Sequence, residues 1–479
     1  MSTVMIHHAL LACLVILPTL GMAAAAEKSK ALPKDLPPYG PVEPFKVPQV
    51  TARTLSNGLT LWLVPCPGFP KDSFAVAVRG GLASDAKDRP GLSQLITDAL
   101  DQGTKTRTAK QIAEGLQAAG GDLSSGAGSD SIVVATSVLS SQGDAGLTIL
   151  ADVLQNATFP DSEVELAKRN AVESLRSQEA DPSFLARRAL AKAVFADHPY
   201  SVISGTQESI QKATAEDLRH EYSKRFRPDQ AALVAVGDFQ PDKLMAAIES
   251  LFGKWSAPKN PPLAAVPKPS RPAPHEVFYV ERAGSVQTNI LVGTLGPRRG
   301  DPEYASTQVA NAIYGGMFGS RLTRNIREDK GYTYSPRSAL ASRHQAAILQ
   351  TWAAVRNEVT GASLNEINYE LNRMATTEAG PEEVSQTQRY LTGTRALALQ
   401  SQGAVARELA QLWVFGLPPE ELGAESARIQ KVTPKDVAQV GAKYFPASRQ
   451  TIVTIGEKKV IEEQLAPFGL KVEQAPKME

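Results

Sequence analysis

One sequence pattern occurs twice in this chain, and the two copies lie 219 residues apart. Each copy contains a helix with a capping threonine, a turn at a proline and a β-rich segment that ends at a glycine. The first copy runs from Thr214 to Gly237 and the second from Thr433 to Gly456. Chance similarity between two common strand–helix patterns is the alternative. The matching order and spacing favour a true duplication.

A proline-rich segment separates the two copies. Residues 254–274 hold seven prolines and little apolar periodicity, which indicates a linker. The linker divides the chain into expected domains at 50–253 and 275–470, each long enough to form its own core. Residues 471–479 remain as a short tail.

Both halves begin with strand-like segments and continue with long helical ones. Residues 161–196 and 362–414 are predicted helical stretches, with breaks near Asp181-Pro182 and Gly380-Pro381. Strands followed by helices predict an α+β fold rather than alternating βαβ units. The expected strands lie at 61–64, 74–78 and 231–237 in the first half and at 277–280, 288–292 and 450–456 in the second.

The N-terminus is typical of an exported protein. Residues 9–26 are apolar, are broken by Pro18 and end in small residues, so residues 1–26 are expected to be a cleaved signal peptide. An uncleaved anchor and lipidation at Cys13 are the alternatives. Residues 27–49 contain many prolines and predict an extended arm. No later segment is long and apolar enough to cross a membrane, and we expect a Gram-negative periplasm as the location.

Charge and cysteine content exclude some classes of function. The chain has 51 lysines and arginines against 50 aspartates and glutamates, so there is no basic excess to bind nucleic acid. Its two cysteines, Cys13 and Cys66, provide neither a disulfide framework nor a cysteine zinc site.

A series of short motifs follows in order through the first half. They are Arg79-Gly-Gly81, Gly91 to Leu100, Gly103-Thr-Lys105, Ile112 to Leu116, Gly120-Gly121, His198-Pro-Tyr200, Gly205-Thr206 and Val236 to Phe239. With these motifs the chain resembles the M16 zinc metallopeptidases, the pitrilysin and insulinase-like family that includes mitochondrial processing peptidase. The resemblance spans nearly all of the chain after the signal, and it implies two copies of one roll in which helices pack on a mostly antiparallel sheet.

The metal motif of that family is absent. In H-x-x-E-H, two imidazoles one helical turn apart bind zinc and the glutamate activates water. The matching positions here are Gln94, Thr97 and Asp98, and the third ligand falls near Ser174. A shift of one residue would place Glu173 there, but one carboxylate does not hold zinc. We therefore expect no catalytic zinc in this chain.

Other side chains offer no replacement site. The histidines after the signal are His198, His220, His275 and His344, and none is three or four residues from another. Asp98 and Asp101 share a predicted helix face and could bind a hard cation weakly, although a solvated face is the simpler interpretation.

The second half keeps other residues of the family pattern. Arg327 and Tyr334 have the spacing of an arginine and a tyrosine that, in M16 enzymes, contact substrate near the scissile bond. Both side chains can donate hydrogen bonds to a peptide carbonyl or oxyanion. Arg321 and Tyr332 are alternative members of this pair. A solvated arginine and two tyrosines alternating across a strand are the structural alternative.

A glycine-containing segment precedes that pair. Gly315, Gly316 and Gly319 resemble a shorter form of the glycine-rich loop in the non-catalytic subunit of the processing peptidase, where the loop is linked to substrate handling. A tight turn before a helix that is capped by Ser320 is the structural alternative.

Together these features resemble the non-zinc subunit of bacterial M16 heterodimers. The resemblance implies a partner with H-x-x-E-H that holds the zinc, unfolded peptides as substrates, and Arg327 and Tyr334 acting in trans. A catalytically silent scaffold or peptide-binding protein is the alternative, as in the M16-like core subunits of respiratory complexes. A peptidase with non-standard metal ligands is a third hypothesis, which the absence of paired histidines opposes.

Overall fold

The computed structural model describes residues 48–270, 277–468 and 472–475. The expected signal peptide 1–26, the arm 27–49 up to residue 47, the end of the linker and most of the tail lie outside these residues. No helix within the described residues is long and apolar enough to cross a membrane.

Two six-stranded sheets form the centre of the molecule, one from each half of the chain. We call residues 51–252 with the first sheet the first lobe, and residues 277–468 with the second sheet the second lobe. The first sheet contains β1 Thr51–Thr54, β2 Thr60–Pro65, β3 Lys71–Arg79, β4 Leu123–Ala127, β5 Ser131–Leu139 and β6 Ala231–Gly237. The second contains β7 Val277–Glu281, β8 Gln287–Gly296, β9 Arg337–Ser342, β10 Ala347–Arg356, β11 Thr451–Gly456 and β12 Val472–Gln474.

The two sheets have the same topology over five strands. The strand orders are β1-β2-β6-β3-β5-β4 and β12-β7-β11-β8-β10-β9. In both sheets the last strand of the repeat pairs in parallel with the first and antiparallel with the second, as β6 does with β2 and β3. The edges differ, because β1 is antiparallel to β2 whereas β12 is parallel to β7. The duplicated, mostly antiparallel α+β fold predicted from the sequence is therefore confirmed.

Helices cover the sheets. In the first lobe they are α1 Leu92–Ala99, α2 Ala109–Ala118, α3 Gly143–Asn156, α4 Asp161–Ala180, α5 Pro182–Phe195, α6 Gln207–Lys212, α7 Ala215–Arg225 and α8 Pro241–Phe252. In the second they are α9 Tyr304–Asn311, α10 Arg321–Thr323, α11 Thr360–Thr376, α12 Pro381–Ala398, α13 Gln402–Val414, α14 Glu421–Lys431, α15 Pro434–Tyr444 and α16 Lys458–Leu465. The repeated threonines, Thr214 and Thr433, both form capping boxes, with Asp217 and Asp436.

The two lobes exchange one helix each. Helix α13 of the second lobe packs on β3 and β6 of the first sheet, where Leu409 and Leu412 join a core that includes Trp62 and Val234. Helix α5 of the first lobe packs on β8 and β11 of the second sheet, where Leu190 contributes to the core. Burying these apolar side chains in the opposite lobe couples the two halves energetically.

The chain around the second lobe's first helices departs from regular α-helix. Helix α9 continues into a π-helical turn at Ala312–Gly316, and α10 continues into another at Arg324–Asp329. The sequence predicted a glycine loop, a polar helix end and then a strand, but regular β9 begins only at Arg337. Wide turns of this kind are rare and often occur at functional sites.

Candidate functional site

A cavity of about 540 Å³ lies between α1, α4 and the start of α6 in the first lobe. We call it the α1–α4 cavity. Three of the four positions that match the family's metal motif line it, namely Gln94, Asp98 and Ser174. The fold therefore brings to one cavity three of the positions that the sequence analysis matched to the metal motif. Further lining comes from Leu82, Gly91, Leu95, Ala167, Asn170, Ala171, Leu175, Gln178, Ile203, Ser204, Gly205 and Ile210.

Helix α1 is held in place by a buried network at its N-terminus. Asp85 accepts hydrogen bonds from the backbone N–H groups of Gly91 at 2.9 Å and Ser93 at 3.2 Å. The guanidinium of Arg225, at the end of α7, donates to Asp85 at 3.1 Å and to the carbonyl of Gly80 at 2.6 Å. This network fixes the helix that presents Gln94 and Asp98 to the cavity.

The side chains at the metal-motif positions bond mainly to one another. Gln94 Nε2 donates to Asp98 Oδ1 at 2.8 Å and to Thr97 Oγ1 at 3.2 Å. Thr97, 2% exposed, donates its hydroxyl to the carbonyl of Gln94 at 2.8 Å. Burial raises the pKa of Asp98, and the hydrogen bond from Gln94 partly offsets the increase.

This donor set does not suit zinc. A catalytic zinc site needs three strong ligands such as imidazoles and a carboxylate, whereas this set offers one carboxylate, a carboxamide and hydroxyls. Thr97 cannot serve as a general base, since a threonine hydroxyl does not accept a proton near neutral pH. Among the described residues, no group of three or more histidine, cysteine or acidic side chains is placed to hold a metal.

The position of the third ligand is also defined by α4. Ser174 lines the cavity, and its hydroxyl accepts a hydrogen bond from Gln178 at 3.1 Å. Glu173 lies outside the cavity lining and pairs with Arg176 at 2.6 Å. The one-residue shift that would bring Glu173 to the metal position is therefore not what the structure shows.

The described histidines have other surroundings. His198 accepts from the backbone N–H of Tyr200 at 3.1 Å, and its Nε2 lies 2.9 Å from the carbonyl of Pro267 in the linker. His344 lines a different cavity, and burial lowers its pKa. His275 lies outside the described residues.

The second candidate feature is a cluster of three side chains in the second lobe, which we call the Arg327 cluster. The Arg327 guanidinium lies over the ring of Phe318, 4.5 Å from its centroid, and over the ring of Tyr334, 4.9 Å from its centroid. Phe318 is 67% exposed and Tyr334 is 80% exposed. Arg327 itself is half-buried, and cation–π attraction to the two exposed rings holds its guanidinium in place.

The two π-helical turns form this cluster. Arg327 lies within the second turn, and Phe318 lies in the short loop between the two turns. The chain then reverses at Gly331, whose positive φ of 62° favours glycine, and places Tyr334 beside Arg327. Within the described part of the chain, no carboxylate lies within ion-pair distance of Arg327.

The other predicted members of this site, Arg321 and Tyr332, are not part of the Arg327 cluster. Arg321 is only 7% exposed and donates two hydrogen bonds to Glu383, at 2.9 Å and 2.6 Å. Its guanidinium is therefore part of an internal ion pair and not of the exposed cluster. Tyr332 is half-buried and donates its backbone N–H to the carbonyl of Ile326.

The glycines do not form one flexible loop. A Cβ on Gly315 would lie 2.9 Å from the Cβ of Ser338, and a Cβ on Gly316 would lie 2.8 Å from Nδ2 of Asn311. Both glycines are thus required by close packing of the first π-helical turn. Of these three glycines, only Gly319 has room for a Cβ, and it lies next to Phe318.

Phe318 is the residue that the sequence analysis missed. It lies between Gly316 and Gly319, in a segment where an aromatic side chain has little local packing to satisfy. That placement was the available signal, but spacing alone could not show that the ring would stack on an arginine nine residues later in the chain. The cavity residues Asn170, Gln178 and Ser204 were missed for a similar reason, since their common location depends on the packing of α1, α4 and α6.

Two family profiles match this chain, and both describe M16 peptidases. The profile described as "Insulinase (Peptidase family M16)" matches residues 69–204, and the profile described as "Peptidase M16 inactive domain" matches residues 212–391. An uncharacterized zinc protease of Streptomyces coelicolor is 24% identical over 416 residues, which cover 86% of this chain and 90% of the relative.

Solved structures agree in fold. A peptidase M16 inactive domain from Pseudomonas fluorescens superimposes with a TM-score of 0.80 at 24% identity, covering 89% of this chain and all of that chain. A chain of complex III2 from Candida albicans superimposes with a TM-score of 0.74 at 20% identity, covering 87% and 97%. These matches, the duplicated fold and the substituted metal motif together show that this chain belongs to the M16 peptidase family, as a member of the type that lacks the zinc-binding residues.

Proposed function

We propose that this chain is the substrate-positioning subunit of an exported, heterodimeric M16 peptidase. Its partner would be an M16 subunit with H-x-x-E-H that holds the zinc, and this chain would supply Arg327 and Tyr334. The observation that carries the proposal is the half-buried guanidinium of Arg327, which lies over the exposed rings of Phe318 and Tyr334 and has no paired carboxylate among the described residues. The family profile that covers this region is that of the inactive domain, a type that pairs with another subunit.

The chemistry of the cluster suits a peptide that is being cleaved. The guanidinium presents several N–H donors in a plane, and the Tyr334 hydroxyl presents another. Donors held in advance of the reaction stabilise the negative charge that develops on a carbonyl oxygen during attack. The stacked rings reduce the freedom of Arg327, so less entropy is lost when it binds a carbonyl. Phe318 is a positioning residue in this scheme.

The neighbouring sheet edge suits an extended substrate. Strand β9 begins at Arg337, three residues after Tyr334, and it is the edge strand of the second sheet. An edge strand presents unpaired backbone groups to which an extended peptide adds as a further strand. Unfolded peptides are therefore the proposed substrates.

The decisive experiment co-expresses this chain with the H-x-x-E-H M16 subunit of the same organism. The isolated chain is expected to hold no stoichiometric zinc and to cleave no quenched-fluorescence peptide. The complex is expected to hold zinc and to cleave the peptide. Arg327→Ala should lower turnover by about 100-fold and Tyr334→Phe by about tenfold, with assembly intact by size-exclusion chromatography. Arg324→Ala is the matched control, since Arg324 is exposed in the same turn but stacks on neither ring.

Two results would contradict the proposal. One is wild-type turnover in complexes that carry either substitution at the cluster. The other is one tightly bound zinc ion per isolated chain, measured by elemental analysis.

A silent scaffold is the second candidate function. The observation that favours it is the likeness in fold to a chain of complex III2, together with the lost metal ligands. A scaffold has no need for an unpaired arginine held against two exposed aromatic rings. Assembly with unchanged activity after substitution of the whole Arg327 cluster would favour this alternative.

Export is part of the proposal and rests on residues outside the described structure. The apolar run at 9–26 and the small residues that follow it support a signal peptide. Cell fractionation and N-terminal sequencing of the mature protein would test it. A protein that retains residues 1–26 in the cytoplasm would overturn the assignment to the periplasm.

A further inference from the structure

The α1–α4 cavity has lost its metal ligands but has not filled in. A volume of about 540 Å³ lies within the range of about 300–1,000 Å³ that is typical of ligand-binding pockets. In a chain without a metal at this place, larger side chains could have closed the space and gained stability. Small residues on α4, namely Ala167, Ala171 and Ser174, keep it open instead.

Close backbone packing shapes the cavity beside α6. A Cβ on Gly205 would lie 2.9 Å from the carbonyl oxygen of Pro90, and one on Gly91 would lie 2.5 Å from the Cα of Gly205. The two glycines therefore bring this loop against the start of α1. The contact is close enough that the cavity wall cannot move inward without a clash.

The charge on the cavity lining is negative. Among the described residues that line it, Asp98 alone carries a charge, and no lysine or arginine lines it. Gln94 donates to Oδ1 of Asp98, and no hydrogen bond from a described residue reaches Oδ2. Asp98 is an exposed residue and makes no ion pair in the described part of the chain. A carboxylate in this position is stabilised by a cation brought from outside.

The remaining lining separates into an apolar and a polar part. Leu82, Leu95, Leu175, Ile203 and Ile210 provide aliphatic surface. Asn170, Gln178 and Ser204 provide hydrogen-bonding groups, and the Ser204 hydroxyl is buried without a partner. A ligand that suits this lining has an aliphatic stem and a cationic end with several N–H donors.

We propose that the α1–α4 cavity binds the side chain of a lysine or arginine in an extended peptide, with the cation at Asp98 and the aliphatic stem against the leucine and isoleucine side chains. The site that holds a metal in catalytic relatives would thus be a specificity pocket in this chain. The class of ligand rests on membership of a peptidase family, and it does not depend on the role proposed for Arg327.

The test measures peptide binding to the isolated full chain by isothermal titration calorimetry. The probes are end-blocked glycine–serine peptides with lysine, arginine, norleucine or glutamate at one central position. Lysine and arginine peptides should bind at least about fivefold more tightly than the norleucine peptide, as one partly exposed ion pair provides. The glutamate peptide should bind most weakly.

Asp98, near the end of α1, and Asp101, just after it, provide matched variants. Asp98→Asn should abolish the preference for lysine over norleucine, whereas Asp101→Asn should retain it, because Asp101 does not line the cavity and bonds to Gln102. Circular dichroism and thermal unfolding check that both variants are folded. Arg327→Ala should leave the preference unchanged, so failure here and failure of the proposed function are distinguishable.

Three outcomes would overturn the inference. The first is equal binding of the lysine and norleucine peptides by the wild-type chain. The second is equal loss of preference in the Asp98→Asn and Asp101→Asn variants. The third is binding of cadaverine, a free diamine, as tightly as the lysine peptide, which would make a small amine rather than a peptide the ligand.

Discussion

The two lobes share one strand topology but differ in the region that follows the second strand of each repeat, which is β3 in the first lobe and β8 in the second. In the first lobe, β3 leads to the regular helix α1, which borders an open cavity. In the second lobe, β8 leads to α9 and two π-helical turns, which carry the exposed Arg327 cluster. The comparison teaches that two copies of one fold can differ locally, with a regular helix beside a cavity in one copy and irregular helical turns beside a cation–aromatic cluster in the other.

The strongest test of this comparison introduces the zinc ligands of the family's metal motif into the first lobe. If the first lobe has kept the backbone of a metal site, Gln94→His, Asp98→His and Ser174→Glu together should create a zinc site. We expect zinc binding at least about 1,000-fold tighter than in the wild-type chain, because three good ligands would then face one point. Isothermal titration with zinc and elemental analysis of the purified protein measure it.

The double variant with the two histidines alone is the control for register. It retains the natural Glu173, which lies outside the cavity lining and pairs with Arg176. We expect it to bind zinc far more weakly than the triple variant. Equal affinity would mean that Glu173 reaches the metal, and the position assigned to Ser174 would be wrong.

The second test compares how each lobe anchors its first helix. Arg225 is fully buried and pairs with Asp85 below α1, whereas Tyr444, its counterpart 219 residues later, donates to Glu303 at the start of α9 at 2.6 Å. Arg225→Met should lower the free energy of unfolding by about 3–5 kcal/mol, because it leaves Asp85 buried and unpaired. Tyr444→Phe should cost about 1 kcal/mol, since Glu303 is half-exposed and keeps Lys443.

Urea denaturation of both variants measures this difference. Similar losses in the two variants would contradict the idea that the anchor of α1 depends more on buried charge than the anchor of α9 does.

The third test concerns pH and a buried carboxylate of the first lobe, Asp72, whose matching position in the second lobe is not acidic. Asp72 on β3 is opposite Gly237, whereas the matching position on β8, opposite Gly456, is Thr288. Burial raises the pKa of Asp72 to about 6, and the nearby charges of Asp238 and Asp144 add to the increase.

Because this pKa is raised in the folded state, the stabilising contribution of Asp72 is fully present below about pH 4 and is lost as the pH rises through about 6. The loss is about 3 kcal/mol. Asp72→Asn should flatten the dependence of unfolding free energy on pH between these limits by about 2–3 kcal/mol. Asp144→Asn, at an exposed neighbour, is the control, and an equally large change in that variant would contradict the assignment.

The fourth and smallest effect tests the Arg327 cluster of the second lobe. Phe318→Ala should lower peptide turnover of the complex by about fivefold, since one cation–π contact of about 1 kcal/mol is lost. Phe318→Trp should restore turnover, because its ring also stacks on a guanidinium. Tyr390→Ala removes an exposed aromatic of the same lobe that stacks on no arginine among the described residues, and it should leave turnover unchanged.

Much of the fold was predictable from the sequence, for a physical reason. Capping threonines such as Thr214, breaks at prolines such as Pro182 and β-rich segments such as 231–237 are local signals, and the structure confirms all three. The break between α12 and α13, at residues 399–401, was missed because no proline or glycine marks it. The exchange of α5 and α13 between lobes was also missed, since a helix sequence shows which face is apolar but not which sheet will cover it.

The candidate sites show the same limit. The residue types at Gln94, Thr97 and Asp98, the positions that the sequence analysis matched to the metal motif, could be read directly from the sequence. The cavity, the stacking of Phe318 on Arg327 and the internal pairing of Arg321 depend on contacts between distant segments. Residue spacing alone gives no information on such contacts.

The exchange of helices between the lobes has a consequence for how this polypeptide can be cut. Cleavage within the linker at 254–270 would sever the backbone, but each fragment would still carry the helix that closes the other fragment's sheet. A nicked molecule should therefore migrate as one particle and separate only on denaturation. Neither fragment would be a stable product by itself, because its sheet would expose the apolar surface that the missing helix covers.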